Sequence, residues 1–385
     1  MEANVTDNHG APQPLAGIRV LDFSTLLPGP MAGLILAEAG AEVIKIERPG
    51  TGEEMRQYVP RWGRESVGFA MLNRGKKSLA INLKDRSALK LLPPLIEEAD
   101  ILLEQFRPGV MERLGLGYEA VAKVNPRIVY CSITGYGATG PRAEAAGHDL
   151  NYIGDTGLLA LGMGPAEAPV VPPALIADLA GGTYPAVVNI LLALLQRTMT
   201  GRGSHLDIAM TDNMFMLSYW ALAQGLTTGK WPQNGRALLT GGSPRYRIYP
   251  TKDGKFLAVA ALEQKFWDRF CEVIGLAAEL RNDRNDPAAT IEAVRAIIAS
   301  RIAGIWRREF YSADCCVSVV QSLEDAFSDD HFRARGLFDH KLVNDEGKVL
   351  PAIAVPVAPQ FRGDPEEAKA APALGANNDE FLKRG

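Results

Sequence analysis

Short apolar runs and amphipathic segments alternate along the first 226 residues of this chain. Runs rich in β-branched and aromatic side chains predict strands at 18–24, 41–47, 77–82, 100–104, 128–134 and 206–210. Segments with helical spacing of apolar residues lie between them, at 31–39, 86–99, 118–124, 177–196 and 213–226. This alternation favours parallel pairing with right-handed crossovers, so we expect the α/β class, with an open doubly wound parallel sheet.

The pattern changes near residue 227, where Gly, Pro, Arg and Asn become frequent. Extended segments at 246–249 and 256–260 flank a Lys-Asp-Gly turn and predict a β-hairpin. Helical patterns follow at 264–274, 290–302 and 305–313. These elements predict a second, smaller domain, and the polar residues 1–14 predict a disordered tail.

Composition narrows the class of protein. Of the 385 residues 47% are apolar and 22% charged, as is typical of a globular protein with a sizeable core. The net charge of −4, with acids and bases interspersed, disfavours nucleic-acid binding.

The four cysteines form no CxxC pair, and we expect reduced, buried thiols. No signal peptide is evident and the apolar runs are too short to span a membrane, so we expect a cytoplasmic protein.

The first strand–helix turn disfavours a nicotinamide dehydrogenase. It contains Gly29 and Gly33, but Pro28 and Pro30 occupy the turn and the GxGxxG fingerprint is missing. Without those glycines, close approach of a pyrophosphate to the backbone is not specified.

Basic residues instead cluster at successive predicted strand ends. They are Arg48, then Arg74, Lys76 and Lys77, then Arg107. In an open α/β sheet, ligands bind at the carboxyl ends of the strands, and converging Arg and Lys suit a polyphosphate such as coenzyme A. The alternative interpretation is a set of solvated surface charges.

His148 and Asp178 are the candidate acid–base groups. His148 follows a Gly-rich segment, and a loop histidine can serve as a general base near neutral pH. Asp178 lies in a mostly apolar run before Gly181 and Gly182. Burying a carboxylate there costs free energy unless it has a partner or a functional role. The alternatives are a hydrogen-bonded surface histidine and a helix N-cap aspartate. No metal-ligand spacing and no GxSxG nucleophile elbow is present.

Several motifs, in order, resemble the class III CoA-transferase superfamily, the CaiB/BaiF family, over residues 15–345. They are IRVLDFSTLLPGPMAGLILAEAGAEVIKIERPG, LNRGKKSLAINLK, EQFRPGVMERLGLGYE and TGYGATGP. Within that superfamily, AGHDLNYIG, ALIADLAGG and TGGSPRYRIY resemble the α-methylacyl-CoA racemase branch.

The resemblance implies an architecture. A Rossmann-like large domain is built from the N-terminal half and the C-terminal tail, with a smaller α+β domain between them, in an interlocked homodimer. We place the large CoA-binding domain at 15–208, a linker helix and loop at 209–245, the small domain at 246–338 and the C-terminal return at 339–385.

The resemblance also implies site residues. His148 and Asp178 correspond to the two acid–base groups of the racemases, and Glu263, from the partner chain, to the carboxylate that pairs with the histidine. CoA contacts are expected at Leu27, Arg48, Leu72, Asn73, Lys77, Arg107, Tyr136 and Tyr152. CoA would be part of the substrate, with no separate cofactor and no metal.

Two functions remain open at this point. The first is inversion of the α-carbon of a 2-methylacyl-CoA by a two-base 1,1-proton transfer, with backbone N–H groups at the Asp178 helix start holding the enolate oxygen. The second is CoA transfer between carboxylic acids through an acyl-anhydride and thioester at Asp178. His148 favours the racemase, since the transferases lack that histidine. The glycine run that formyl-CoA transferases carry near 260–264 is also absent here. Ala174 replaces an asparagine that the racemases can place there.

A third alternative, a CoA-binding paralogue without activity, is disfavoured because both proton carriers are present. The acyl group is not specified by any motif.

Overall fold

The computed structural model describes residues 12–382, and the chain folds into two compact units. The large unit contains the chain up to Thr156, then Ala174–Leu217, then the chain from Asp330. The small unit contains Gly157–Pro173 and Ser218–Asp329. These boundaries differ from the predicted ones at 208, 246 and 339. Most of the predicted tail lies outside the described residues, although the side chain of Gln13 donates to the Glu38 carbonyl at 2.8 Å.

A six-stranded sheet forms the centre of the large unit. Its strands are β1 (Arg19–Asp22), β2 (Glu42–Glu47), β3 (Lys77–Ala80), β4 (Ile101–Glu104), β5 (Val129–Thr134) and β6 (Ser204–Ala209). The order is β3-β2-β1-β4-β5-β6 and every neighbouring pair is parallel. The predicted α/β class is therefore confirmed. Each predicted strand is present with slightly different ends.

Helices accompany these strands in the large unit. They are Pro28–Glu38, Val67–Asn73, Arg86–Leu89, Leu92–Glu98, Val110–Arg113, Tyr118–Val124, Asp149–Asp155, Tyr184–Thr200, Met210–Leu217, Asp330–Ala334 and Asn378–Leu382. The first strand–helix turn, with Pro28 and Pro30, is in part the first turn of a helix, where a proline loses no helical hydrogen bond. The predicted helix at 86–99 is two short helices, the second beginning just before two prolines.

A π-helical segment, Ala177–Thr183, precedes the longest α-helix, Tyr184–Thr200, where one regular helix was predicted. Together they are 24 residues long and contain an 18-residue stretch with a mean hydropathy of 1.4, enough by length and composition to cross a membrane. The sequence prediction that no apolar run is that long is therefore corrected. Core helices of water-soluble proteins meet the same criterion, and buried Arg197 in this helix pairs with Asp100 at 2.8 Å. The helix therefore carries no membrane assignment.

The main core of the large unit combines apolar side chains from the early part of the chain with others from its last part. Leu21, Ile44 and Leu102 come from the central strands, and Phe381 comes from the last described helix. Smaller strands complete the unit: the pair Arg61–Trp62 and Glu65–Ser66, and a sheet of His340–Val343, Val349–Ala352 and Ala368–Lys369. The return of the chain to the large unit is thus present, beginning at Asp330.

The small unit is an antiparallel sheet packed against helices. Its strands are β7 (Tyr246–Pro250), β8 (Phe256–Ala260) and β9 (Val317–Val319), in the order β9-β8-β7. Its helices are Tyr219–Thr228, Gln264–Ile274, Pro287–Ala299, Ala303–Phe310 and Leu323–Phe327. The predicted hairpin is confirmed, with Ala258 opposite Ile248. Trp267 and Trp306 are fully buried in this core.

Candidate active site

A cavity lies where the strand order of the large unit reverses. In doubly wound sheets that reversal, here between β1 and β4, opens a crevice at the carboxyl ends of the strands. The cavity has a volume of about 420 Å³. It is lined by Leu26 after β1, Arg107 after β4, Gly135 after β5 and Met210 after β6. Topology therefore places a ligand-sized space at the expected position.

His148 lines this cavity at the end of the loop that follows β5. It is the N-cap of Asp149–Asp155, and its backbone N–H donates to the Asn151 side chain at 3.1 Å. The residue is exposed. Its ring is thus placed by the start of a helix, yet accessible to a substrate.

Asp178 lines the same cavity from the start of the π-helical segment. Its burial, together with the negative charge of Asp149, raises the pKa of Asp178 to about 6, against the opposing effect of His148. A carboxyl group with that pKa exchanges its proton near neutral pH. The two predicted catalytic residues therefore share one cavity and act on each other electrostatically.

Asp149 connects the two groups, and the sequence analysis did not identify it. It is buried, and its Oδ1 accepts the backbone N–H of Asp178 at 3.0 Å. The signal was available, because Asp149 follows His148 directly in the GHD motif. One carboxylate thus fixes the start of the π-helical segment and also raises the pKa of Asp178.

Two N–H groups near the start of this segment are already used within the protein. The N–H of Asp178 is bonded to Asp149, and the N–H of Leu179 donates to the Leu175 carbonyl at 3.1 Å. These two groups are therefore not free to hold an enolate oxygen, and the role of the helix start as a donor stays a prediction.

Gly181 and Gly182 let the π-helical segment lie close to its neighbours. A Cβ on Gly181 would lie 2.5 Å from the Met210 carbonyl oxygen, and one on Gly182 would lie 3.1 Å from Pro28 Cβ. The Gly181 carbonyl also accepts a bond from Asn213 at 2.8 Å. π-helical turns are frequent at functional sites, and here the absence of side chains fixes the approach of Asp178 to the cavity.

Three side chains hold the loop that carries His148. The Tyr136 hydroxyl donates to Asp155 at 2.6 Å, and Arg142 pairs with the same carboxylate at 3.0 Å. Tyr152, which lines the cavity, donates to the Gly147 carbonyl at 2.6 Å. The loop is thereby tied to the middle and to the last residue of the helix that begins after His148.

Three other predicted CoA contacts lie at the carboxyl edge of the sheet. Arg107 is exposed and lines the cavity. Arg48 is exposed directly after β2, and its Nε donates to the Gly52 carbonyl at 2.7 Å. Leu27 is half-buried at the start of Pro28–Glu38. These positions are compatible with contact to a ligand at this edge.

Lys77 and Arg74 do not lie at the carboxyl end of β3, which corrects their predicted place at a strand end. The expected contact of Lys77 with CoA stays a prediction. Lys77 opens β3, and its Nζ bonds Glu42 at 2.6 Å and Glu380 at 2.5 Å. Arg74 is buried in an ion pair with Glu38 at 2.9 Å. Arg74 precedes the strand and Lys77 is its first residue, so both belong to its amino end, and their charges are already paired.

Leu72, Asn73 and Lys76 are buried, and the expected contact of Leu72 and Asn73 with CoA stays a prediction. Leu72 and Asn73 are buried at the end of Val67–Asn73. Lys76 is buried with its Nζ 3.0 Å from both Asp22 and the Asn73 side-chain oxygen. This cluster stabilises the interior of the large unit, since a buried charge requires a partner.

The residues that do follow β3 are Asn82 and Lys84, and the sequence analysis missed them. Both are exposed. The chain continues beside β2, with the Ile81 N–H donating to the Glu47 carbonyl at 2.9 Å. The motif LNRGKKSLAINLK contains them, but the sequence analysis named the residues before the strand and at its start.

Glu263 lies in the small unit. It is the exposed N-cap of Gln264–Ile274, and its carbonyl accepts the Trp267 N–H at 3.0 Å. Its pairing with His148 stays a prediction. Among residues 12–382, no group of three or more His, Cys, Asp or Glu could hold a metal ion.

Comparison with known proteins gives a family. The model of CoA-transferase family III matches residues 15–378. Alpha-methylacyl-CoA racemase from Homo sapiens is 34% identical over 96% of this chain and 92% of its own length. Succinyl-CoA:glutarate CoA-transferase from Mus musculus is 32% identical over 96% of this chain and 86% of its own length.

A solved structure agrees with these relatives. The crystal structure of Rv3272 from Mycobacterium tuberculosis superimposes with a TM-score of 0.83 at 28% identity, covering 97% of this chain and 100% of that one. The resemblance drawn from the motifs is therefore confirmed, and the chain belongs to CoA-transferase family III.

Proposed function

We propose that this enzyme is an acyl-CoA racemase that inverts the α-carbon of a 2-methylacyl-CoA. The observation that supports this most is the pairing of His148 with Asp178 in one cavity, with the pKa of Asp178 raised to about 6. A thioester acidifies its α-hydrogen, because the carbanion delocalises onto the carbonyl oxygen. Racemisation then needs one group to remove that proton and a second to supply one on the opposite face.

His148 and Asp178 perform these two proton transfers. Which of them removes the proton depends on the configuration of the substrate. When neutral His148 removes the proton, protonated Asp178 returns one to the other face; for the opposite enantiomer, ionised Asp178 removes it and protonated His148 returns it. Each proton transfer contributes about 10²–10⁴-fold to the rate. Arg107 at the cavity, with Arg48 and Lys84 at the same sheet edge, would hold the phosphates of CoA.

The test is isotope exchange. One enantiomer of a 2-methylacyl-CoA is incubated with the enzyme in D₂O, and both C2 deuteration and optical purity are followed. We expect deuterium uptake with loss of optical purity in the wild type, and neither in His148→Ala. His205→Ala, on β6 outside the cavity lining, is the control. An enzyme that neither deuterates nor racemises the substrate would exclude this function for that acyl group.

CoA transfer is the second candidate, and the 32% identity to a CoA-transferase supports it. Here Asp178 attacks the thioester carbonyl and CoA thiolate leaves, which gives an acyl-anhydride. The thiolate then attacks the Asp178 carbonyl, so that the first carboxylic acid leaves and a CoA thioester remains on Asp178. The acceptor carboxylate attacks that thioester, and the thiolate released again attacks the acceptor acyl carbon of the new anhydride, which forms the product acyl-CoA and frees Asp178. Hydroxylamine added during turnover would convert that anhydride to a hydroxamate at Asp178. Labelling at Asp178 with activity retained in His148→Ala would favour transfer, whereas an unlabelled Asp178 would favour racemisation.

The remaining parts of the proposal concern assembly and location. We propose a homodimer in which Glu263 of a partner chain orients His148, in the cytoplasm and with no cofactor besides the CoA of the substrate. The family resemblance supports this assembly. Light scattering at monomer mass would contradict it, and Glu263→Gln should lower kcat for racemisation if the orientation role is correct.

A further inference from the structure

The small unit contains a second cavity, to which the proposed racemisation assigns no role. Its volume is about 710 Å³, within the range of small-molecule sites. It is lined by Gly164, Asn234, Gly241, Arg247, Ile248 and Ala258. All of these residues belong to the small unit. The cavity is therefore a feature of one folded unit.

Arg247 supplies a positive charge to this cavity. It lies on β7, and its guanidinium donates to the Gly241 carbonyl, which restricts its orientation. No salt bridge joins it to a carboxylate among the described residues, whereas nearby Arg245 is held by both oxygens of Asp283 at 2.7 and 2.9 Å. A guanidinium fixed by one bond, with its charge unpaired, is suited to a carboxylate.

Asn234 supplies a second polar group. Its Nδ2 donates to the Gly164 carbonyl at 2.6 Å, and because a carbonyl can only accept, this bond fixes which end of the amide is the oxygen. The Oδ1 is buried and has no hydrogen-bond partner among the described residues. A buried acceptor without a donor is unfavourable, so the site favours a ligand that carries a hydroxyl or N–H group.

The rest of the lining leaves room for such a ligand. A Cβ on Gly162 or on Gly241 would meet nothing within 4 Å. At these two positions the cavity is therefore lined by backbone with open space beside it. Ile248 and Ala258, cross-strand neighbours, add an apolar surface. The lining thus combines one cation, one acceptor and apolar contact.

We propose that this cavity binds a small hydroxycarboxylate group, with the carboxylate on Arg247 and the hydroxyl donating to Asn234 Oδ1. The group comes from a free acid in solution, so the proposal is independent of the proposed racemase function.

Calorimetry on the full-length protein tests the free acid, with 3-hydroxybutyrate as the probe and butyrate as its match without the hydroxyl. We expect millimolar binding of 3-hydroxybutyrate, about tenfold tighter than butyrate because the Asn234 acceptor is satisfied. Arg247→Gln should weaken binding of both acids at least about tenfold. Arg236→Gln, an equal charge change on a neighbouring exposed residue outside the lining, should leave both unchanged.

A second variant keeps the proposal testable if Arg247→Gln fails to fold. Ala258→Phe fills the cavity from a half-buried strand position without altering a polar group, and strands accept aromatic residues well. It should abolish binding of both acids while the thermal unfolding temperature stays near that of the wild type.

Binding of 3-hydroxybutyrate that needs Arg247 supports the site. The proposal is wrong if the wild type binds neither acid, or if Arg236→Gln has the same effect as Arg247→Gln. Because calorimetry needs no turnover, failure of the racemase function remains distinguishable.

Discussion

At the scale of single residues, the acid–base properties of the site depend on Asp149. Its carboxylate accepts the N–H of Asp178 and is one of the two causes that raise the pKa of Asp178, burial being the larger. A neighbouring negative charge disfavours ionisation of a carboxyl group. Asp149 is thus a positioning residue with an electrostatic effect, and the two roles can be separated by substitution.

Asp149→Asn should separate them, because the asparagine oxygen can still accept the Asp178 N–H while the charge is lost. We expect the pKa of Asp178 to fall from about 6, so the limb of the kcat/KM profile that reports Asp178 moves by about one unit to lower pH. Both enantiomers should give the same profile, since the active forms contain the same number of protons. Asp85→Asn, fully exposed elsewhere, is the control, and an unmoved profile would contradict the role of Asp149.

Glu104, at the carboxyl end of β4, predicts a pH-dependent stability. It is 5% exposed, and its Oε2 accepts the Phe106 N–H at 2.8 Å. Burial raises the pKa of Glu104 to about 7, with hydrogen bonds from Ser132 and Phe106 opposing. In the unfolded chain the ordinary value is 4.5. The folded state therefore keeps a proton that the unfolded state releases between pH 4.5 and 7.

Stability consequently falls as pH rises through that window, by about 3 kcal/mol for this group. Glu104→Gln carries no titrating proton, so its free energy of unfolding relative to wild type should increase by up to about that amount between pH 5 and pH 8. Urea unfolding of both proteins at the two pH values measures the difference. The same difference at both pH values would show that Glu104 ionises normally.

At the scale of secondary structure, two elements position the catalytic residues. One is the helix Asp149–Asp155 with its preceding loop, held by Tyr136, Arg142 and Asp155. The other is the π-helical segment Ala177–Thr183, which depends on small residues. Each element makes a distinct prediction.

Asp155→Asn should weaken the bonds from Tyr136 and Arg142 and let the loop before His148 shift. Small misplacement of a reacting group lowers the rate more than the binding, so we expect kcat to fall about tenfold with little change in KM. Asp155→Glu, which keeps the charge, should recover part of the loss. A change confined to KM, or no recovery by glutamate, would contradict a positioning role.

Gly181→Ala should destabilise the large unit, because its Cβ would lie 2.5 Å from the Met210 carbonyl oxygen. Overpacking against backbone costs about 1–3 kcal/mol. The matched control is Gly304→Ala in the helix Ala303–Phe310, where a Cβ meets nothing within 4 Å and alanine should stabilise. Thermal unfolding of the two variants should therefore shift in opposite directions.

At the scale of the whole molecule, exposed apolar side chains predict self-association. The helix Tyr184–Thr200 exposes 58% of Leu192, 62% of Leu195 and 77% of Met199. Contiguous apolar surface of this kind marks interaction sites in soluble proteins. This is the physical ground, besides family resemblance, for the proposed homodimer.

Leu195→Glu should shift the protein toward monomer mass in light scattering, because a carboxylate would be buried in the interface. The neighbouring exposed position provides the control, since Gln196→Glu introduces the same charge beside the apolar surface. Equal effects of the two substitutions would indicate that charge alone, rather than this apolar face, controls association.

Local pattern was sufficient for much of this molecule. The parallel strands are continuous runs of apolar residues, such as Val20 and Leu21, both fully buried, and such runs are readable without any partner. The β7–β8 hairpin follows from its turn residues. The motifs around His148 and Asp178 identified both acid–base candidates, and their order along the chain identified the family.

Tertiary structure decided what depends on residues far apart in the sequence. Lys77 was assigned to a ligand, yet it pairs with Glu380, 303 residues away, and opens its strand instead of ending it. The pKa of Asp178 depends on burial and on Asp149, 29 residues away. Side-chain pairing and desolvation are properties of the packed chain, so the sequence by itself determined the strands, the family and the two acid–base candidates, while only the fold determined which charges remain available at the site.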